Sequence, residues 1–207
     1  MIVPISGGLK MSDTRYKRQQ KLDLNVKQSV TIVGCGGIGA WVAIFAAMSG
    51  IEDIILFDPD ILESHNLNRL PFPEKWIGRN KAIITQKYIE SLRQDINVKA
   101  FHFILQEFAF TETDWLIDCT DDYKAQKFNQ GLAGKFNKTK YMKVGYDGLH
   151  VSIHNRVAEW GEETEGYTVV PSWVVPAATI AALAVAKIIK YSNKEVSCNV
   201  QDLFVIR

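Results

Sequence analysis

Residues 31–41 read TIVGCGGIGAW, which places four glycines within six positions between a β-branched run and an apolar stretch. Gly34, Gly36 and Gly39 have the G-x-G-x-x-G spacing, and Gly37 is a further residue without a side chain in the same turn. In such a turn the first glycine permits the tight bend and the second lets phosphates approach the backbone. The third allows close packing of helix on strand, and the free N–H groups that open the helix attract an anion. Asp58 ends the next β-branched run, DIILF, where a carboxylate can accept hydrogen bonds from ribose hydroxyls, and Asp60 follows two residues on. These residues predict a bound nucleotide without saying whether it carries hydride or is consumed.

The residues further along discriminate between the two. The run FDPDILESHNLNRL puts Asn66, Asn68 and Arg69 in one polar loop, and IGRNKAII puts Lys81 where a helix begins. Cleaving ATP between its α and β phosphates requires cations for the triphosphate and its leaving pyrophosphate, together with a carboxylate for a metal ion. Arg69 and Lys81 can supply the cations. The run DCTDD after WLID can supply Asp118 and Asp121 for Mg²⁺, which takes a few carboxylate oxygens plus substrate phosphates. Each residue alone has a plainer use: Arg and Lys form surface ion pairs, and Asp121 could cap the helix that follows it. Occurring jointly and in this order, they point to phosphate chemistry. An NAD-dependent oxidoreductase, supported by the glycine turn and Asp58, would leave DCTDD unused.

Positioning these residues requires alternating strands and helices. Strands are expected at Ser29–Val33, Asp53–Phe57, 98–103, Trp115–Asp118, 140–144 and 149–157. Helices are expected over 37–49, with Gly50 as the residue that ends it, over 81–93 from its apolar spacing, after Asp121, and over 174–190 with Pro176 in its first turn. This alternation predicts an α/β chain, a Rossmann-like, doubly wound and mostly parallel sheet. The closely spaced later strands predict an antiparallel addition at one edge. We read 1–207 as a single domain, with an N-terminal arm over about 1–28 and a C-terminal helix and tail over about 174–207; 161–173 reads as a loop.

Composition narrows the function. Lys and Arg number 24 against 23 Asp and Glu, a net charge of +1, so no general attraction to nucleic acid or anionic membrane is expected. The three cysteines, Cys35, Cys119 and Cys198, form no C-x-x-C pair. That argues against a disulfide framework and a four-cysteine zinc site, and for a reducing, cytoplasmic setting. The first residues lack the pattern of a signal peptide, and 174–190 is interrupted by Pro176 and Lys187, which favours a buried helix over a membrane span. His150 and His154 share one face of a strand but have no metal-ligand spacing with cysteine or glutamate. Trp160 and Trp173 flank the acidic run GEETEG, a candidate docking surface for a C-terminal tail.

With RYKRQ at 15–19, VTIVGCGGIG, ILFDPD, the N-x-N-R of Asn66–Arg69, GRNK and LIDCTDD, the sequence resembles the adenylating domain of the ubiquitin-activating-enzyme superfamily, the E1-like group that includes ThiF, MoeB and HesA proteins. The resemblance covers roughly 12–191. It implies an enzyme, an adenylyltransferase that uses ATP and Mg²⁺ to activate the C-terminal carboxylate of a small ubiquitin-like or sulfur-carrier protein, or of a peptide, releasing pyrophosphate. It assigns the ribose to Asp58, the phosphates to Asn66, Arg69 and Lys81, and Mg²⁺ and the reacting phosphate to Asp121. It further implies a homodimer in which Arg18 reaches the partner's site, so that Arg18, Arg69, Lys81 and Asp121 are the catalytic set. Gly34, Gly36, Gly37, Gly39, Asp58, Asp60, Asn66, Asn68, Arg69 and Lys81 are the nucleotide-binding set. The chain departs from the pattern in having no cysteine in GEETEGYTVVPSWVVP, no paired C-x-x-C, and Asp122 where the acidic motif ends in Asn. The missing cysteine also leaves room for a non-catalytic E1-like scaffold that binds a partner.

Overall fold

The computed structural model describes residues 15–157, 171–190 and 192–204. Seven strands form one sheet: β1 (Ser29–Val33), β2 (Asp53–Phe57), β3 (Asn97–Phe101), β4 (Trp115–Asp118), β5 (Lys140–Asp147), β6 (His150–His154) and β7 (Val196–Asn199). Among the described residues four helices accompany them: α1 (Gly39–Ser49), α2 (Lys81–Leu92), α3 (Tyr123–Ala133) and α4 (Val174–Lys190). The spatial order of strands is β3-β2-β1-β4-β5-β6-β7. β1 to β5 run parallel, with Val33 opposite Phe57 on one side and Asp118 on the other, and β6 and β7 continue antiparallel. The expected fold class, including the antiparallel edge, is what the structure shows.

The apolar pattern of the strands explains both layers. Residues such as Val30, Ile32, Ile54, Leu56, Ile117, Met142 and Val144 face α1, α2 and α4 in the main core. Val33, Phe57, Leu116 and Tyr141 face α3 and the segment around Leu105 and Phe110 on the other side. Helix α1 is apolar all round because it lies between the sheet and its neighbours, and Gly50 closes it in the left-handed region at φ 108°. A third, smaller cluster of Ala40, Leu62, Leu70, Phe72 and Ile84 sits beneath the chain between β2 and α2, so the polar run there is supported from below.

Helix α1 begins at Gly39, two residues later than expected, because Gly36–Ile38 are spent on the turn. Strand β7 was not expected: the tail after α4 returns to the sheet and pairs with β6 over four residues. No helix among the described residues is long and apolar enough to cross a membrane.

Candidate functional site

The chain leaves β1 toward β2 and β3 on one side and resumes at β4 on the other, so the strand order switches between β1 and β4. Ligands collect at the carboxyl ends of strands at such a switch. Both chemistry-bearing motifs lie there in contact. Gly34 has φ 86°, and a Cβ on it would stand 3.1 Å from the carbonyl of Cys119 and 3.3 Å from the nitrogen of Thr120. A Cβ on Gly39 would stand 1.8 Å from the oxygen of Gly34, so the turn closes only without one. A Cβ on Gly36 would meet nothing within 4 Å, and that open space is what a phosphate approaching the backbone requires.

Asp58 joins the turn to the next segment. Its Oδ2 accepts from the N–H of Cys35 at 2.6 Å and its Oδ1 from that of Asp60 at 2.7 Å. Burial pushes its carboxyl above the usual range, against these two hydrogen bonds. Only 4% of the residue is exposed, so a ribose would meet this carboxylate through the lone pairs that the two backbone donors leave. Asn80, not singled out from the sequence, caps α2 by accepting from Ile83 N and donates to the carbonyls of Asp58 and Asp60. It thereby sets Lys81, whose Nζ lies 3.0 Å from Asp60 Oδ2. Asp60 thus holds a cation, and Lys81 stands at the start of α2 beside the segment that follows β2.

Asn66, Asn68 and Arg69 have distinct surroundings. Asn66 is buried, and its Oδ1 accepts from Glu63 N in a capping box over the short turn 64–66. Asn68 donates to Ser172 O at 2.7 Å and accepts from Arg69 Nη1 at 2.9 Å. Arg69 also donates to His65 O, while Trp41 Nε1 holds the carbonyl of Arg69 at 2.8 Å. Its side chain crosses the glycine turn: a Cβ on Gly37 would stand 2.9 Å from Arg69 Cδ and 3.1 Å from the hydroxyl of Tyr146.

In DCTDD the structure separates three carboxylates that the sequence lists side by side. Asp118 is fully buried; its Oδ1 accepts from the N–H and hydroxyl of Thr120, and its Oδ2 from Asn129 Nδ2 and Tyr141 OH. Burial, then the charge of Asp118, pushes the Tyr141 hydroxyl upward. Both oxygens of Asp118, which the sequence offered beside Asp121 for Mg²⁺, are thus committed to protein donors. Asp122, and not Asp121, caps α3 through Ala125 N at 2.8 Å. Asp121 is left exposed, directly after Thr120, whose nitrogen borders the glycine turn. One free carboxylate fits Mg²⁺, which binds through one or two carboxylates plus phosphates. Among the described residues no group of three His, Cys, Asp or Glu forms a site that would hold an ion by itself.

Arg18 lies elsewhere. Tyr16 OH and Gln19 Nε2 donate to Ala47 O and Ser49 O at the last turn of α1. The guanidinium of Arg93, itself bonded to Ala47 O, lies 5.5 Å over the Tyr16 ring. The eleven residues of α1 separate this corner from Gly39 by about 16 Å. Arg18 is exposed there and is not brought to the glycine turn of its own chain. Residues 1–14 of the expected arm, Trp160 and 161–170 lie outside the described residues. Trp173 donates to Gly148 O, and Ser172 meets Asn68, so the return of that segment borders the site.

Lys143 and Tyr146 on β5 were missed. Lys143 Nζ donates to Thr120 O and Val144 O at 2.7 and 3.0 Å. The sequence carried no signal for either beyond their place in or just past the strand expected at 140–144. His150 and His154 pair with Ser197 and Glu195 and hold β7 to β6.

Comparisons with known proteins bear on the family and the fold. The chain is 35% identical over 121 residues to "Adenylyltransferase and sulfurtransferase MOCS3" of Xenopus laevis, covering 52% of this chain and 27% of that protein. It is 36% identical over 150 residues to "Ubiquitin-like modifier-activating enzyme 5" of Dictyostelium discoideum, covering 65% and 39%. It therefore spans well under half the length of these two relatives. The crystal structure of E. coli MccB with AMPCPP and selenomethionine MccA superposes with a TM-score of 0.75 at 22% identity, over 92% of this chain and 72% of that one, a likeness of fold. The model of the ThiF family matches residues 8–200, and the chain belongs to that family.

Proposed function

We propose that this protein is an ATP-dependent adenylyltransferase that converts the C-terminal carboxylate of a small ubiquitin-like or sulfur-carrier protein, or of a peptide, into an acyl-adenylate. The observation that carries the reading is the contact between the glycine turn and the Asp121 loop at the β1/β4 switch, with Arg69 laid across Gly37. A hydride-transfer site has no use for that exposed carboxylate beside a phosphate cradle. The names of the relatives, an adenylyltransferase and a modifier-activating enzyme, support the same chemistry.

In this reading the open space over Gly36 and the N–H groups of the turn receive phosphates, and Asp58 and the β2 end receive the ribose. The substrate carboxylate oxygen attacks the α phosphorus, the bond to the bridging oxygen breaks, and pyrophosphate leaves; no proton is transferred. The protein's task is to align two anions and offset their charge. Arg69 and Lys81 carry that role, with Lys81 exchanging Asp60 for phosphate. Asp121 would hold Mg²⁺, which would supply positive charge to offset that of the phosphates. Arg18, at the far end of α1, acts only from the partner of a homodimer, through the planar fork that suits phosphate oxygens. The acyl group then passes to an acceptor outside this chain's 161–176 run, which holds no cysteine.

Thermal shift with Mg²⁺–ATP, AMP and NAD in parallel tests the reading, since a ligand of the native state raises its stability. Stabilisation by Mg²⁺–ATP that is lost in Lys81→Ala is the expected result. Stabilisation by NAD alone overturns it. Mixing Arg18→Ala with Asp121→Ala subunits should restore part of the ATP–pyrophosphate exchange that each has lost, and no recovery would refute the role in trans.

A further inference from the structure

We propose that Lys143 is an additional phosphate-binding residue of this site, whose remaining N–H donates to a phosphate of the bound nucleotide. The inference rests on the nucleotide-binding reading above.

Lys143 lies midway along β5, as the register partner of Asp118, the last residue of β4. An ammonium has three donors. Two are taken, by Thr120 O at 2.7 Å and Val144 O at 3.0 Å. Both acceptors are neutral carbonyls. No carboxylate of a described residue lies within 4.0 Å of Lys143 Nζ, and the adjacent Asp118 is spent on Thr120, Asn129 and Tyr141. The residue is half-buried, and charges withdrawn from water are ordinarily paired. Thr120 O also accepts from Gln126 Nε2 at 3.0 Å, so its tether would survive without an ammonium. What the lysine adds to a carbonyl already served is charge. That charge sits against the carbonyl of Thr120, a residue whose backbone nitrogen would be 3.3 Å from a Cβ on Gly34, the first residue of the phosphate-binding turn. A fixed, unpaired cation under the wall shared by the glycine turn and the Asp121 loop is complementary to a phosphate.

Titration calorimetry of the wild type, Lys143→Gln and Lys143→Arg with adenosine, AMP and Mg²⁺–ATP tests this. Gln keeps a donor without the charge, and Arg keeps the charge. Lys143→Gln should weaken AMP and Mg²⁺–ATP by roughly tenfold or more, with adenosine unchanged and Arg recovering most of the loss. Equal losses for adenosine and AMP, or no loss for either, would show a support for the turn and overturn the proposal. In the wild type, acetylation of Lys143 followed by mass spectrometry should be slowed by AMP and not by adenosine. Equal slowing by both, or by neither, would also overturn it, and this holds whether or not the variants fold. Failure of the wild type to bind any of the three ligands would refute the underlying reading instead.

Discussion

Arg69 lies directly over Gly37, so close that a Cβ on the glycine would stand 2.9 Å from Arg69 Cδ and 3.2 Å from its Nε. The absence of one side chain therefore places the cation of a loop two elements away. Gly37→Ala should displace Arg69 and weaken Mg²⁺–ATP binding by about tenfold, the loss of one charge-assisted hydrogen bond. Gly36→Ala, which meets nothing, should leave the melting temperature of the free protein within its error and still obstruct the nucleotide. Calorimetry and thermal melts on the two variants check the contrast; equal behaviour would refute it.

The two neighbouring aspartates should separate by experiment. Asp122→Ala removes the cap of α3 and should cost about 1 kcal/mol of stability while leaving Mg²⁺-dependent ATP binding intact. Asp121→Ala should do the reverse: unchanged stability, with the Mg²⁺ dependence of ATP binding lost. Denaturant melts and calorimetry with and without Mg²⁺ read both.

The 3.0 Å pair between Lys81 and Asp60 competes with phosphate for the same ammonium. Asp60→Asn should therefore tighten binding of inorganic pyrophosphate, by up to about fivefold given the modest worth of such exposed pairs. Weaker binding would mean that Asp60 positions Lys81 and does not compete with the ligand.

Thiol reactivity should be confined to one cysteine. Burial pushes the Cys119 thiol up to about 12 and that of Cys35 well above its ordinary value. Cys198 lies half-buried on the edge strand β7. Ellman's reagent at pH 8 should modify Cys198 alone in the folded protein and all three cysteines after denaturation, with mass spectrometry identifying the site.

The corner that carries Arg18 should loosen in acid. Arg93, 3% exposed, donates to Asp95 Oδ1 at 3.0 Å and holds that carboxyl below the usual range. A depressed folded value means that the pair stabilises the protein at neutral pH. That contribution fades as pH falls from the ordinary aspartate value, about 3.9, through the lower folded one. Asp95→Asn should lower the melting temperature at pH 7, and the difference from wild type should vanish in strong acid.

The spacing of the glycines, the β-branched runs and the alternation of helix and strand made the nucleotide-binding half of the fold legible. All of these are local patterns with one outcome each. DCTDD was legible only as a cluster. Its three carboxylates have the same chemistry, and their roles diverge because Asn129 and Tyr141 arrive from α3 and β5 to fill Asp118, while the start of α3 at Tyr123 makes Asp122 the cap. Strand β7 escaped notice because four alternating residues carry little signal until β6 offers them a ladder.

The amino-acid sequence by itself determined which groups were available: a turn that only glycines can close, a carboxylate after the second strand, two cations and an acidic run, in an order that a parallel sheet gathers at one edge. Only the tertiary structure decided which of them remain free for a ligand. It buried Asp118 among four donors, gave Asp122 to a helix, left Asp121 exposed and stranded Arg18 at the other end of α1. It also brought Lys143 under Thr120. Side-chain identity is local, whereas the burial and hydrogen-bond partners that leave a charge available are set by chain segments distant in sequence.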